Sequence, residues 1–521
     1  MNTRIKVLLA AMLPLVVIAC GQAPEESQDM PSAQPVEMFD AVIANGRVMD
    51  PASGLDAVRH IGIRDGRIAA ISETALNGSV VVDAADKVVA PGFVDLHSHG
   101  WTPLSQRYQL LDGVTTALEL ESGAYPATSH GIYPPIAIAE RSLINYGAST
   151  GHAWVRSRIL EADQAITGMD QLMAGTLNGT GTGGLSMGRL AFHSPLPAEQ
   201  LPVMQELLRQ DLANGGLGIG MLLDYMSESV DAAELRAVFE VAAEADAPVI
   251  VHIRRGVAGD PFGLDEVIGL AQETGAAVHV CHLQASAMGG IEVFLGKIRA
   301  AQRAGLRITT ESFPYNAGST AISAAVFSRN WREVFAIDYG DVEWAATGER
   351  LTEETWHEYR EKQPGGTVIH HYNKEQWTRI ATEASDVVVA SDALPAVSEA
   401  QLVAPWSVGT FARVLGHYAR DEGTLDLMTA LAKMTMMPAR LLEHLSDDLA
   451  RKGRIAVGAD ADLTIFDPTT IADRATYRQP FQPSAGITHV LVNGIPVVRD
   501  GEVVPDRFPG RRVLGRRSEK S

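Results

Sequence analysis

The 521-residue sequence predicts an α/β architecture, a (β/α)8 barrel joined to a small β-domain that both chain ends complete. Three observations predict it. Apolar strands alternate with helical stretches between Pro91 and about Ala450, the signature of a parallel sheet. Both flanks consist of short strands punctuated by Asn-Gly and Asp-Gly. No GxGxxG follows a strand, which disfavours an open doubly wound sheet. The 48 glycines suit many tight strand-to-helix turns.

The first element, residues 1–20, reads as a leader. Arg4 and Lys6 precede the apolar run Val7–Ala19, which is too short to span a bilayer comfortably. It ends in Val17-Ile18-Ala19-Cys20-Gly21, which resembles a bacterial lipobox. Cys20 then becomes a lipidated N-terminus, and acyl chains hold the protein on a membrane surface. Gln22 rather than Asp follows Gly21. That pattern implies a lipid-anchored protein of the bacterial cell envelope, at the outer membrane and facing the periplasm. Residues 21–38 are rich in Pro, Gln, Glu and Ser and read as a flexible tether.

The β-domain comprises residues 39–90 and 455–521. Ala41–Met49 reads as a strand, an Asn-Gly turn and a second strand. Ile61–Ile68 repeats this with Asp-Gly, and Val80–Asp83 and Lys87–Ala90 add two strands. Asp462–Asp467 and Val490–Val498 have the same character at the far end. Residues 91–454 form the barrel. Its clearest alternation is helix 232–246, strand 248–252, helix 264–274, strand 277–282, helix 292–304 and strand 307–311.

Composition narrows function. Lys and Arg number 43 against 63 Asp and Glu, a net charge of −20, which excludes a nucleic-acid binder. Two cysteines exclude a disulfide framework. The chemistry concentrates at strand ends. In Pro91–Gly100, His97 and His99 lie two apart and face the same side of a strand, half of a Zn2+ shell. Strands 248–252 and 277–282 end in His252 and His282, and Asp386–Asp392 ends in a carboxylate. In a parallel barrel these ends share one rim, so the groups meet there. Gly113–Gly123 adds Glu119 and Glu121 on one face, one to bridge two metals and the other to accept from a metal-bound histidine. Cys281 and His279 are expected to face away from the site. His370-His371 is a neighbour of it.

These residues resemble the amidohydrolase superfamily, in its D-aminoacylase (N-acyl-D-amino-acid deacylase) branch. Further segments carry the likeness: Gly215–Tyr225, Phe313-Pro-Tyr315 through Ser319-Thr320, Gly151-His152 with Arg156, Gly409–Gly416 and Gly453–Leu463. The resemblance implies a metal-dependent barrel with a β-sandwich built from both termini, holding one or two Zn2+ or another divalent metal. It implies metal ligation by His97, His99, His252 and His282, with Asp392 as general base for hydrolysis of a linear amide. The substrate is then a small acylated amine or amino acid, bound by His152, Tyr225, Tyr315 and Ser319. Two departures stand out. Glu121-Ser122-Gly123 has no cysteine where many members bridge with one. Ala404-Pro405-Trp406 lacks the branch's arginine for a substrate carboxylate, so Arg254, Arg255 or His371 replaces it, or the substrate lacks that carboxylate. The alternatives are a cyclic amidase, lactonase or dipeptidase, or a surface lipoprotein that binds metal without catalysis.

Overall fold

The computed structural model describes residues 38–125, 141–161, 189–400 and 403–516. The leader, Cys20 and nearly all of the tether lie outside the described residues. Eight strands form the central sheet: β6 (Phe93–Asp95), β7 (Val114–Ala124), β8 (Asn145–Gly151), β9 (Ile219–Met221), β10 (Pro248–Val251), β11 (Ala277–Val280), β12 (Ile308–Ser312) and β17 (Val388–Val389). Every ladder between neighbours is parallel. The ring is drawn together between β6 and β17. There Ser98 and Ala393 form a parallel bridge, the Asp392 N–H donates to His97 O at 2.8 Å, and the His99 N–H donates to Ala393 O at 2.8 Å.

The predicted helices are present as 232–244, 262–274 and 291–303. Asp231 caps the first by accepting from the Glu234 N–H, and Gly275 closes the second in the left-handed conformation (φ 78°). Val249, Val251, Val278 and Val280 face these helices in one large apolar cluster with Val238, Val267 and Phe294. The opposite faces of β10 and β11 therefore point into the barrel.

The two chain ends build one nine-stranded sheet: β1 (Met38–Asp50), β2 (Leu55–Arg64), β3 (Arg67–Ser72), β4 (Asn77–Asp83) and β5 (Val88–Pro91) with β18 (Leu463–Phe466), β19 (Ile487–Val492), β20 (Ile495–Arg499) and β21 (Glu502–Val503). β1 branches, pairing with β4 early and β5 late, and both arms feed a core of Ile43, Ile61, Val82, Leu463 and Leu491. Asp65-Gly66 turns between β2 and β3 as predicted, both at positive φ. Asn45-Gly46 does not turn. It is a bulge inside a continuous β1, where the register shifts between Ile43 and Gly46 and Asn45 takes φ 62°. A third sheet was not expected: β13 (Gly318–Ala321), β14 (Val342–Trp344), β15 (Glu349–Arg350) and β16 (Thr367–His370) pair antiparallel between β12 and β17. Trp331, Phe335, Trp344 and Trp356 pack around it.

Candidate metal centre

The strand ends deliver four imidazoles and two carboxylates to one buried point on the barrel rim. His97 Nε2 lies 3.2 Å from His99 Nε2, 3.3 Å from Glu121 Oε2 and 3.4 Å from Asp392 Oδ1. His99 Nε2 lies 3.5 Å from Glu121 Oε2 and 3.6 Å from Asp392 Oδ1. A second cluster adjoins it: Glu121 Oε1 is 2.9 Å from both His252 Nδ1 and His282 Nε2, which are 3.1 Å apart. Glu121 thus offers one oxygen to each cluster, the placement expected of the bridging residue. Glu119 takes the other role, with Oε2 at 2.7 Å from His99 Nδ1 and Oε1 accepting the Ser122 N–H.

Backbone turns aim two of these groups. His282 (φ 31°) and Asp392 (φ 53°) both follow strand ends in the left-handed region, an unfavourable conformation for residues with a Cβ. Asp392 is held there by its N–H on His97 O and by Trp406 Nε1 donating to its carbonyl at 3.1 Å. Its carboxylate is the most open of the donor set, 24% exposed. The twist at His282 also explains a correction. Alternation placed Cys281 and His279 facing outward. With Val278 and Val280 on the helix side, His279 and Cys281 point inward, and only the turn at residue 282 brings His282 to the same side. Cys281 is buried against His97.

An outer ring fixes the imidazoles. Glu311, at the end of β12, accepts from His97 Nδ1 at 2.5 Å and from His279 Nε2 at 3.0 Å. Glu311 is not among the expected site residues, although it is a carboxylate at the end of a barrel strand like Asp392. Asp95 Oδ1 accepts from the His97 and Ser391 N–H groups at 3.2 and 3.0 Å, and Ser391 Oγ donates to Asp95 Oδ2. Burial pushes the Asp95 carboxyl up to about 7 against those hydrogen bonds. Burial opposes charge on His97 and His99, yet the carboxylates around them raise both pKa values well above the ordinary histidine value. Burial also opposes charge on Glu121, but His97 and His252 hold it well below the carboxylate range.

The donors fit divalent zinc. Tetrahedral Zn–N bonds of ~2.1 Å put ligand atoms ~3.4 Å apart, the spacing of the first cluster. Imidazole and carboxylate are its usual ligands. Three buried carboxylates, Glu119, Glu121 and Glu311, and the more open Asp392 crowd these histidines, and among the described residues no lysine or arginine lies between them, so the centre calls for a cation.

A cavity of about 580 Å3 opens over the centre, reaching His99, Glu121, His252, His282 and Asp392. Of the expected substrate residues, Tyr225 and Ser319 line it. Tyr225 stands edge-on to His252, ring centroids 5.1 Å apart. Four others do not line it. His152 is fully buried with Nε2 at 2.8 Å from Glu234, which also binds Arg156, so the Gly-His turn is a buried ion-pair anchor. Tyr315 points towards Asp473 (3.3 Å) and Arg413. Arg254 is spent on Glu266 and Val230 O, and His371 pairs with Glu343 at 3.1 Å. In the last two cases the neighbouring residue lines the cavity instead, Arg255 and His370.

The comparisons with known proteins accord with this geometry. Residues 80–498 match the amidohydrolase family. The chain is 30% identical to an N-acyl-D-glutamate deacylase of Alcaligenes xylosoxydans xylosoxydans, over 91% of this chain and 96% of that protein. It is 29% identical to a D-aminoacylase of the same organism, over 92% of this chain and 98% of that one. The crystal structure of N-acyl-D-glutamate deacylase from Bordetella bronchiseptica superposes with a TM-score of 0.74 at 27% identity, covering 92% of this chain and 100% of that one. That protein was crystallised with zinc and a phosphonate that mimics the tetrahedral intermediate. With the family match spanning most of the sequence and these relatives aligned nearly end to end, the chain belongs to the amidohydrolase family, in the branch of the D-aminoacylases.

Proposed function

We propose that this metal-dependent amidohydrolase removes the acyl group from N-acyl-D-amino acids with uncharged side chains. The observation that carries the reading is Glu121 spanning two histidine pairs, with Asp392 beside them at the floor of a substrate-sized cavity. His97, His99, Glu121 and Asp392 would hold one Zn2+, and His252, His282 and Glu121 a second. Bound there, zinc supplies a Lewis acid and acidifies water to a pKa of about 7.

The chain's own groups do the rest. Asp392 accepts the proton of the attacking water and delivers it to the leaving nitrogen, so one carboxylate serves as base and then as acid. Its exposure to the cavity and its pinned backbone suit that role. Tyr225 directs its hydroxyl into the cavity region shared with Thr320, where it can donate to the developing oxyanion. Phe313, Leu222, Val326 and Leu394 supply apolar walls, and Ser319 and Ser122 add unpaired hydroxyls. Such walls accept a neutral side chain better than a second carboxylate.

The test is a hydrolysis panel of N-acetyl-D- and N-acetyl-L-amino acids, dipeptides, hydantoins and lactones, run on protein stripped by chelator and reloaded with Zn2+. Zinc-restored release of D-leucine or D-methionine, ahead of D-glutamate, is expected. Turnover confined to lactones or hydantoins overturns the reading. The Val17–Cys20 segment supports the further proposal that the protein is lipid-anchored in the bacterial envelope, at the outer membrane and facing the periplasm. Cys20→Ala should abolish incorporation of labelled palmitate, and undiminished labelling would exclude that anchor.

A further inference from the structure

Beside the metal centre lies a second charged cluster that does not balance. Asp224 sits one residue before Tyr225 and is fully shielded from solvent. Its Oδ1 accepts from the Arg255 N–H at 2.9 Å and from Arg329 Nη2 at 2.5 Å, and its Oδ2 accepts from Arg255 Nη1 at 2.8 Å. Two guanidinium groups therefore share a single carboxylate. Among the described residues, the remaining polar neighbours of Arg255 are neutral: Ala285 O accepts from Nε at 3.3 Å, the Tyr372 hydroxyl stands near the guanidinium, and the Phe335 ring lies 5.5 Å beneath it. A buried cation without a full counter-charge is costly, so the cluster has room for one more anion.

Its position says which anion. Arg255 and Tyr372 both line the cavity that opens over the metal centre. Asp224 Oδ2 lies 3.7 Å from His252 Nε2 and 2.8 Å from Arg255, so one carboxylate oxygen separates the guanidinium from a metal-centre imidazole. A group held by Arg255 would lie next to the amide being cleaved, as the α-carboxylate of an N-acylated amino acid does. His370, which also lines the cavity, has an unpartnered Nδ1 there and contributes no carboxylate.

We propose that Arg255, steadied by Asp224 and assisted by the Tyr372 hydroxyl, binds the free carboxylate of the substrate and sets the preference for acids over neutral amides. This rests on the deacylase reading above for the substrate but not for the anion site itself. Arg254 and His371 are excluded from the role by their pairings with Glu266 and Glu343. The single surplus charge also matches a substrate with one carboxylate rather than two.

The experiment pairs N-acetyl-D-leucine with N-acetyl-D-leucinamide. Wild type should favour the acid. Arg255→Met should lower the acid-to-amide ratio of kcat/KM by roughly tenfold to a hundredfold, the worth of a charge-assisted hydrogen bond, with the change in KM rather than kcat. Tyr372→Phe should move the ratio the same way by less. An unchanged ratio in Arg255→Met overturns the proposal. Arg329 still pairs with Asp224 in that variant, and circular dichroism checks its fold. Calorimetric binding of the same two ligands to zinc-loaded Asp392→Asn, with and without Arg255→Met, separates this proposal from the deacylase reading. Acid-selective binding that Arg255→Met removes upholds the anion site even if wild type hydrolyses neither compound. Equal binding of acid and amide overturns it whatever the turnover.

Discussion

Glu311→Gln isolates how much of the metal affinity comes from residues that never touch the metal. Glu311 is buried, and each of its oxygens serves a different imidazole, His97 at 2.5 Å and His279 at 3.0 Å. Burial works against its charge, but His97 and His279 hold its pKa below the carboxylate range, so it is ionised at neutral pH. A carboxylate can only accept, which places a hydrogen on His97 Nδ1 and makes Nε2, facing His99, Glu121 and Asp392, the nitrogen that would give up its proton to a metal.

Glutamine keeps the shape and loses that instruction. If its amide N–H turns to His97, the proton moves to Nε2 and the ligand is lost. If its carbonyl does, His279 must reverse its own tautomer against Thr309 Oγ1, 2.8 Å from Nδ1. Either route should weaken zinc binding about 10- to 100-fold, or ~1.4–2.7 kcal/mol. Competition of the metal-free protein against a chromophoric chelator measures this, and circular dichroism verifies the fold. His279→Gln, which leaves the Glu311–His97 contact in place, should give a smaller loss. Zinc affinity of Glu311→Gln within twofold of wild type would refute the idea that His97 is oriented from behind.

Three further outcomes follow from the same geometry. Asp392→Asn should lower kcat by about 10²–10⁴ while zinc persists, because His97, His99, His252, His282 and Glu121 remain; retained turnover excludes Asp392 as the base. Glu121→Gln removes the one group shared by both clusters and should cost more zinc affinity than the ~10- to 100-fold of an outer residue, read as metal content after dialysis. Lys433 is buried with Nζ on Ala384 O, and burial pushes its pKa down to about 7 from the ordinary 10.5, with Asp386 opposing. Unfolding then takes up a proton between those values, so stability should rise with pH across that window, by on the order of 2–3 kcal/mol from pH 7 to 9. Lys433→Met should therefore raise the melting temperature more at pH 6 than at pH 9, and equal gains at both would show that Lys433 stays charged.

How far the sequence reached depended on where the backbone stayed regular. Along β10 and β11 the alternation of Val249, Val251, Val278 and Val280 marks the helix side, and the helices between them were legible to within two residues. The meeting of His97, His99, Glu121, His252, His282 and Asp392 was legible too, since several strands end in such groups and the strand ends of a parallel barrel share one rim. The small sheet β13–β16 was not, because its strands are short and sit among aromatic residues whose packing is tertiary.

The errors fall one step past the strand ends, and their cause is geometric. Period-two alternation holds only while the chain is extended, and at His282 and Asp392 the left-handed turn resets which side the next group faces. Past a strand end, even without such a turn, sequence position names the neighbourhood but not the direction: Arg254 and His371 stand off the cavity while Arg255 and His370 line it. The same logic explains Glu311. It lies within regular β12, so its inward direction was knowable. What was unknowable was that it would face His97 Nδ1 and His279 rather than join Glu121 and Asp392 at His97 Nε2, because that depends on the depth of each strand in the ring. A ligand and its supporting carboxylate look alike along the chain, and only the stagger of neighbouring strands tells them apart.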